Sequence, residues 1–306
     1  MPASRGHAQF RAALRSAVQQ DFDDFEVVVS DDSGELASVV EEVGDDRIRY
    51  FRNPRRLGLA QNHAAAFDRA RGDLLSWLHD DDRLLPGFLR TLVPLFEDDP
   101  GLGVTFTACY FEDESGRTQL RRWPVVPGRH PRFLPELMRQ RPVLPSTALV
   151  RAEVWRVARD PWPQQLDVAD VVLWFRAAAA GYAFHYLDEP LAVYGIHAGQ
   201  FTASEERFRD DSIRLFELFE FDDPEYERVR REQLAFELLL RAAGRLRQRR
   251  VEDARKDVER ARALDSESSP LRRQVVEWLV QHPSLAPPVV GAWRRTRSLR
   301  AQLRRA

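Results

Sequence analysis

The sequence predicts an α/β protein with a mostly parallel sheet flanked by helices and an α-helical C-terminal extension. Short apolar runs alternate with amphipathic helical segments through the first two-thirds of the chain. Clusters of Asp, Ser and Gly follow several of these runs, and from about residue 204 the pattern is helical to the end. We therefore expect two domains, 1–203 and 204–306.

Each element follows from its local pattern. Apolar residues at helical spacing predict a helix over 7–20, and the β-branched run 25–29 predicts a buried strand. The other predicted elements are helices 36–43, 58–69, 86–96, 133–139 and 168–180, and strands 47–51, 74–78, 104–111 and 146–150. Residues 182–187 and 191–196 predict two paired strands, because Asp-Glu-Pro between them is typical of a turn.

The acidic segment His79-Asp80-Asp81-Asp82 is the most informative feature of the chain. It follows the apolar run 74–78, so a buried strand delivers clustered carboxylates to its C-terminal end, where open α/β sheets bind ligands. Carboxylate oxygens suit Mg²⁺ or Mn²⁺ holding the phosphates of a substrate. The alternative is a solvated acidic loop.

Six segments along the first 203 residues follow an order that matches one family. They are 27–34 (Val-Val-Val-Ser-Asp-Asp-Ser-Gly), 53–62 with Ala-Arg-Gly-Asp at 70–73, 77–86, 145–151 (Pro-Ser-Thr-Ala-Leu-Val-Arg), 170–176 (Asp-Val-Val-Leu-Trp-Phe-Arg) and 194–197 (Tyr-Gly-Ile-His). Each is a weak signal alone, but together they resemble the inverting family 2 glycosyltransferases of the GT-A fold. The resemblance covers roughly residues 4–203.

The resemblance implies metal-dependent, inverting transfer of a sugar from a nucleotide-diphosphate donor to a hydroxyl acceptor. It implies Asp81 as the protein ligand of Mn²⁺ or Mg²⁺, with His197 reaching the metal or the diphosphate. Asp80 is expected to contact the donor ribose or support the cation, and Asp82 is a second donor-site candidate. His79 stands where the family often has aspartate, and we treat it as a neighbour of the site.

Four more residues are assigned to the donor pocket. Asp31 and Asp32 are implied to accept hydrogen bonds from the nucleobase or ribose, although Asp is also common in strand-ending turns. Gly58 and Asn62 are expected to shape the pocket by turn and cap geometry.

Asp170 is the candidate general base. A carboxylate on the face opposite the leaving group can take the acceptor proton as attack begins. The alternative is structural, because Asp167 and Asp170 have the spacing of an N-cap and N3 pair at the start of a helix. Both roles are compatible, since a helix start also holds a carboxylate rigidly.

The sequence departs from the family pattern in two places. The family begins with an apolar strand, and nothing in residues 1–9 can replace it, so we expect the native start to lie upstream of Met1. Gly195 replaces the usual arginine, which removes a phosphate contact beside His197.

Charge is distributed unevenly along the chain. Residues 228–306 contain 20 Lys+Arg and 9 Asp+Glu, whereas residues 1–227 contain 26 and 39. The arginines of 293–306 interleave with Trp293, Leu299 and Leu303, a pattern that suits an anionic membrane surface or a solvated helix packed on the body. No recognition module accompanies them, so nucleic acid is not expected as a partner.

The expected acceptor is a glycan or lipid-linked hydroxyl, in cell-envelope or polysaccharide synthesis. The single cysteine, Cys109, excludes an internal disulfide and suits a reducing cytoplasm. Peripheral contact at the inner face of the plasma membrane, through the basic C-terminal segment, is an open alternative. A non-catalytic GT-A protein that binds a nucleotide or glycan is the alternative function. A metal-dependent phosphohydrolase is a third, opposed by the lack of an Asp-x-Asp-x-Thr-type segment near the N-terminus.

Overall fold

The computed structural model describes residues 1–4, 7–197, 205–264 and 270–285. The chain divides into two compact units, 1–200 and 201–306. The predicted domain boundary after residue 203 lies outside the described residues, as does the basic segment 293–306. The division into domains 1–203 and 204–306 therefore stays a prediction.

A parallel sheet opens the first unit. Its strand order is β1-β2-β3, with β1 at Pro2–Ala3, β2 at Val27–Asp31 and β3 at Ile48–Arg52. The β-branched run predicts β2 correctly, and all five of its residues are buried. β1 pairs Pro2 with Ser30 and Ala3 with Asp31, so a two-residue strand forms where the sequence analysis expected none.

A second, mixed sheet forms the rest of this unit's core. Its order is β4-β9-β6-β10-β5, with β7 on β6 and β8 on β10. These strands are β4 (Leu74–Leu75), β5 (Arg83–Leu84), β6 (Leu102–Asp113), β7 (Thr118–Arg121), β8 (Gly128–His130), β9 (Ala148–Arg151) and β10 (Ala183–Ile196). β6 and β10 run parallel and the other pairs run antiparallel.

Helices surround these sheets and make up the second unit. In the first unit they are α1 (His7–Val18), α2 (Ala37–Val43), α3 (Leu59–Arg69), α4 (Phe88–Glu97), α5 (Leu134–Gln140), α6 (Ala152–Ala158) and α7 (Ala169–Ala179). The described part of the second unit contains α8 (Glu205–Glu217), α9 (Pro224–Arg247), α10 (Val251–Leu264) and α11 (Pro270–Gln281). The predicted α/β class with a helical C-terminal region is confirmed.

The predicted pair of strands at 182–196 is wrong. β10 is one continuous strand of 14 residues that pairs in parallel with β6. The register of this pairing shifts between Leu187 and Pro190 and again between Pro190 and Ala192. Proline cannot donate to a sheet ladder and is tolerated at such irregularities. The turn-like triplet therefore marks a bulge rather than a hairpin. The strand predicted at 74–78 is likewise shorter, because only Leu74–Leu75 pairs with β9.

None of the helices in the described residues combines the length and the apolar character that crossing a membrane requires.

Aromatic rings pack around Trp77 immediately before the acidic segment. Trp77 is 1% exposed, stacks on Phe67 with ring centroids 4.0 Å apart, and donates its indole N–H to the carbonyl of His63 at 3.1 Å. Three further tryptophan rings lie with centroids 6.1 Å from it: Trp155, Trp162 and Trp174. This packing fixes the position of the short segment that connects β4 to the acidic residues 79–82.

Trp77→Ala is expected to lower the free energy of unfolding by about 3–5 kcal/mol, since it removes a large buried ring and an indole hydrogen bond. Chemical denaturation followed by circular dichroism measures this loss. Val126→Ala is the matched control, because Val126 is 75% exposed and its truncation should cost less than about 0.5 kcal/mol. Equal stabilities of the two variants would contradict the central role of Trp77.

Candidate active site

Asp31 holds the turn that follows β2. Its Oδ1 accepts hydrogen bonds from the amides of Ser33 and Gly34, and its Oδ2 accepts from the amide of Leu36 and the hydroxyl of Tyr50, all at 2.7–3.0 Å. Burial acts to raise the pKa of Asp31, but these hydrogen bonds outweigh it and leave the pKa below its ordinary value. The Asp31 carboxylate therefore stabilises the turn through hydrogen bonds from the turn's own amides.

Asp32 fixes the loop that leads into α3. Its Oδ1 accepts from the amide of Leu57 at 2.6 Å and from the side-chain amide of Asn53 at 3.2 Å, while its Oδ2 accepts from the amide of Gly58 at 2.9 Å. Gly58 has φ of 82°, in the left-handed region that favours glycine, and its carbonyl accepts from the amide of Asn62 in the first turn of α3. Asp32 and Gly58 together set where α3 begins.

Asn62 belongs to a buried polar network beneath the same loop. Its side-chain oxygen accepts from the hydroxyl of Ser30 at 2.6 Å and from Asn53 at 3.0 Å, and its amide donates to the carbonyl of Ala3 at 3.3 Å. Arg69 donates to Ser30 and Asn53 from the other end of α3. Asn62 thus ties α3 to β1 and β2.

β1 joins this loop region to the acidic segment. The carbonyl of Ala3 accepts from the amide of Asp32 at 2.8 Å, and the amide of Ser4 donates to Oδ2 of Asp80 at 2.7 Å. Hydrogen bonds to two consecutive residues, Ala3 and Ser4, therefore connect Asp32 with Asp80, which lies 48 positions further along the chain.

Asp82 is the most deeply buried member of the acidic segment, at 1% exposure. The hydroxyl of Ser146 donates to its Oδ2 and the amide of Gly195 donates to its Oδ1 at 2.9 Å. Burial, followed by the neighbouring charge of Asp81, nevertheless raises the pKa of Asp82 to about 8. A cation beside it would favour the ionised form.

Asp81 lies against the end of β10. Its Oδ2 is 2.9 Å from Nε2 of His197, the residue that follows β10. A Cβ on Gly195 would lie 2.3 Å from the carbonyl oxygen of Asp81, so only glycine allows this approach of the two backbones. The two residues predicted as metal ligands are therefore neighbours.

Asp170 lies in the first turn of α7. The helix N-cap is Val168, without a side-chain cap bond, so the predicted N-cap role of Asp167 is wrong. Burial raises the pKa of Asp170 to about 7, against the opposing effects of backbone hydrogen bonds from Val171 and its own amide and of the Arg141 charge.

The charges of three carboxylates affect the hydroxyl of Tyr194 in β10. The pKa of its hydroxyl is raised by burial first, and then by the negative charges of Asp82, Asp81 and Asp170. Residues from the acidic segment and from α7, about 90 positions apart, therefore act on one phenol group.

The glycosyl transferase family 2 model matches residues 1–153, half of the chain. The chain belongs to this family. Its matched half contains the turn after β2, the start of α3 and the acidic segment, whereas Asp170 and His197 lie beyond it.

Comparisons with individual proteins agree with this membership. The chain is 37% identical to an uncharacterised protein of Mycobacterium tuberculosis over 167 residues, covering 53% of this chain and 49% of that protein. It is 36% identical over 119 residues to the GalNAc(5)-diNAcBac-PP-undecaprenol beta-1,3-glucosyltransferase of Campylobacter jejuni, covering 37% of this chain and 38% of the relative. The chain thus spans about half or less of the length of these curated relatives.

A solved structure supports the fold over nearly the full length. The crystal structure of residues 1–349 of S. aureus TarS in complex with UDP-GlcNAc aligns with a TM-score of 0.65 at 14% identity. The alignment covers 96% of this chain and 90% of that chain.

The family 2 site in this chain contains a group that fits a divalent cation. His79, Asp81 and Asp82 each offer one ligand atom, and these atoms all lie within 4.8 Å of one another. Two carboxylates with one imidazole fit Mn²⁺, and the carboxylate oxygens alone fit Mg²⁺. Nε2 of His79 lies 2.9 Å from Nε2 of His63, an arrangement typical of the second contact that orients a ligating histidine.

Sequence reasoning did not find the roles of His63, Ser146 or Gly195. Ser146 and Gly195 lie in segments that carry the family resemblance, so their positions are visible in the sequence although their contacts with Asp82 are not. His63 had no sequence signal, because it resembles any polar residue on an amphipathic helix.

Gly195→Ala is expected to weaken Mn²⁺ binding by about tenfold or more. The new Cβ would force β10 away from Asp81 and break the hydrogen bond that the Gly195 amide donates to Asp82. A loss of about 1–3 kcal/mol in stability should accompany it. Isothermal titration with Mn²⁺ and thermal unfolding measure the two effects. Gly244→Ala is the control, since no atom lies within 4 Å of its added Cβ. Unchanged Mn²⁺ affinity in Gly195→Ala would refute the close-approach argument.

Proposed function

We propose that this family 2 protein is a metal-dependent, inverting glycosyltransferase that moves a sugar from a nucleotide-diphosphate donor to a hydroxyl acceptor. The observation that carries the proposal is the cluster of His79, Asp81 and Asp82, whose ligand atoms lie within 4.8 Å of one another, with Nε2 of His197 2.9 Å from Asp81. Asp170, whose pKa is raised to about 7, is proposed to complete the site from the first turn of α7.

The donor nucleotide is proposed to bind between β1, β2 and the start of α3. In this region Asp31 and Asp32 act through the backbone, since their hydrogen bonds fix the turn and the loop that form the pocket walls. Gly58 and Asn62 set the position of α3 beneath the same pocket. Asp80, held by the amide of Ser4, is proposed to face the ribose.

Asp81 is proposed to hold the cation, with Asp82, His79 and His197 around it. Mn²⁺ or Mg²⁺ bound there supplies positive charge that stabilises the diphosphate as it leaves. Ser146 and Gly195 keep the Asp82 carboxylate fixed for this purpose.

Asp170 is proposed to accept the proton of the acceptor hydroxyl. As that oxygen forms its bond to the anomeric carbon, the bond from the carbon to the phosphate oxygen breaks, and the nucleoside diphosphate leaves with the electron pair. A pKa of about 7 suits a base that must be ionised near neutral pH and still hold the proton it receives. Attack opposite the leaving group inverts the anomeric centre.

The comparisons support the substrate classes of this proposal. The TarS complex contains UDP-GlcNAc, which supports a uridine diphosphate sugar as donor. The name of the Campylobacter relative supports a lipid-linked glycan as acceptor. Action from the cytoplasm at the inner face of the plasma membrane belongs to the same proposal. A non-catalytic nucleotide- or glycan-binding protein is less well supported, because the candidate metal ligand Asp81 and the candidate base Asp170 are both present.

Asp81→Ala is expected to abolish the thermal stabilisation that UDP and Mn²⁺ give together, because the ligand that joins metal to diphosphate is lost. Thermal-shift titration of UDP with and without Mn²⁺ measures this. Asp21→Asn serves as the control, since Asp21 lies in an exposed pair with Arg90. Full Mn²⁺-dependent stabilisation of Asp81→Ala by UDP would rule out Asp81 as the ligand.

Asp170→Asn is expected to reduce turnover about 10²–10⁴-fold while leaving UDP binding intact, because asparagine cannot accept the acceptor proton. Sugar-transfer rates and UDP thermal shifts separate the two effects. In the unchanged protein, kcat should rise with pH through a midpoint near 7, as Asp170 ionises.

Stability separates this catalytic role from a purely structural one. A folded-state pKa above the unfolded value makes ionisation unfavourable to folding, so the stability associated with Asp170 is highest below about pH 4 and falls as pH rises to 7. Asp170→Asn should therefore be at least as stable as the unchanged protein at pH 8. A marked loss of stability at pH 8, with turnover retained, would assign Asp170 to the helix start alone.

A further inference from the structure

Two histidine rings lie together beside the acidic segment. Nε2 of His63 in α3 is 2.9 Å from Nε2 of His79, and the planes of the two rings differ by only 3°. The rings approach each other through these nitrogens and share one N–H···N hydrogen bond. Neutral imidazole has one N–H and one acceptor nitrogen, so one ring of the pair donates and the other accepts.

The packing around His63 holds its ring for this contact. The side chain is 1% exposed, its ring lies on that of Trp77 with centroids 4.9 Å apart, and its carbonyl accepts from the Trp77 indole. The other ring nitrogen of His63, Nδ1, is buried without a hydrogen-bond partner among the described residues. Because an unpaired polar atom in the interior is unfavourable, a histidine here calls for a role that an apolar residue could not fill.

The second nitrogen of His79 is directed to the carboxylates. Nδ1 of His79 lies 3.9 Å from Oδ2 of Asp82. Since Nε2 of His79 is engaged with His63, Nδ1 is the nitrogen that is left for a cation. A cation at Nδ1 requires the proton of this ring on Nε2, which then donates to Nε2 of His63. His63 is therefore the acceptor that fixes both the tautomer and the orientation of His79.

A nitrogen ligand changes which cation the cluster of His79, Asp81 and Asp82 favours. Mg²⁺ prefers oxygen ligands and gives up its water reluctantly, whereas divalent transition-metal ions accept imidazole. A carboxylate at position 79 would offer Mg²⁺ one more charged oxygen. The imidazole offers it neither the charge nor the oxygen.

We propose that the His63–His79 pair makes this site selective for a divalent transition-metal ion, represented by Mn²⁺, over Mg²⁺. His79 is the nitrogen ligand, and His63 is a positioning residue that acts through it. The inference rests on the cation site of the proposed function, but it does not require that a sugar is transferred.

Isothermal titration of the full chain with Mn²⁺ and with Mg²⁺ measures the selectivity as the ratio of the two affinities. The unchanged protein should bind Mn²⁺ more tightly. His79→Asp should lower the ratio about tenfold or more, because an oxygen ligand replaces nitrogen. His185→Gln is the matched control and should leave the ratio unchanged, since His185 lies near the start of β10 and the candidate site lies at its end.

Two substitutions of His63 isolate the hydrogen bond to His79. Both His63→Gln and His63→Leu remove the ring that lies on Trp77, but only glutamine retains an acceptor for the N–H of His79. His63→Leu should weaken Mn²⁺ binding roughly 10–100-fold, whereas His63→Gln should stay close to the unchanged protein. The Mg²⁺ affinities of the two variants should agree, because a loss of folding would lower the affinity for both cations.

Pulsed electron paramagnetic resonance of bound Mn²⁺ detects a directly bonded nitrogen. The spectrum is recorded in His197→Ala, because His197 lies against Asp81 and offers a second imidazole. A nitrogen hyperfine coupling should remain in this variant and should vanish when His79→Asp is added.

Equal affinity ratios in the unchanged protein and in His79→Asp would overturn the proposal. So would a missing nitrogen coupling in His197→Ala, or equal Mn²⁺ affinities of the two His63 variants. These results leave the question of sugar transfer open. A protein that binds Mn²⁺ selectively through His79 but transfers no sugar would support this inference and contradict the proposed function alone.

Discussion

Repulsion between neighbouring carboxylates of the acidic segment is the constraint on which this site depends. Burial and then the charges of Asp81 and Asp80 raise the pKa of Asp82, and solvent cannot screen the Asp82 charge because this side chain is nearly excluded from water. The protein offsets part of this cost with donors from Ser146 and Gly195. The remainder favours positive charge or a proton at the site, and a divalent cation held by His79, Asp81 and Asp82 would supply that positive charge.

Much of the fold could be predicted from the sequence because helices and short buried strands follow local patterns. The β-branched run before Asp31 and the amphipathic segment after Gly58 both form the elements expected of them. The pairing of strands that are distant in the chain could not be predicted in this way. β10 continues through Pro190 because β6 accompanies it on one side, and no local pattern reports that partner.

The candidate site shows the same division between residue type and contact. The order of acidic residues predicts a clustered site, but it does not indicate which carboxylates the protein itself uses. Asp31 and Asp32 receive amide hydrogen bonds from their own turn and from the loop before α3, so the protein itself uses these carboxylates, and their contact with a donor stays a prediction. That distinction depends on backbone directions. The neighbouring pair His63 and His79 was invisible for a related reason, since it joins α3 to the acidic segment across a fold contact.

The aromatic cluster beside the acidic segment gives the protein an intrinsic optical signal. Four of its seven tryptophans form this cluster, namely Trp77 and three rings around it, and the Trp77 ring lies against His63, which stacks in turn on His79. A change in the charge or orientation of these imidazoles reaches the indole directly. Tryptophan emission from this chain therefore includes a contribution from rings beside the acidic segment, and a change in these imidazoles should alter its intensity without any attached dye.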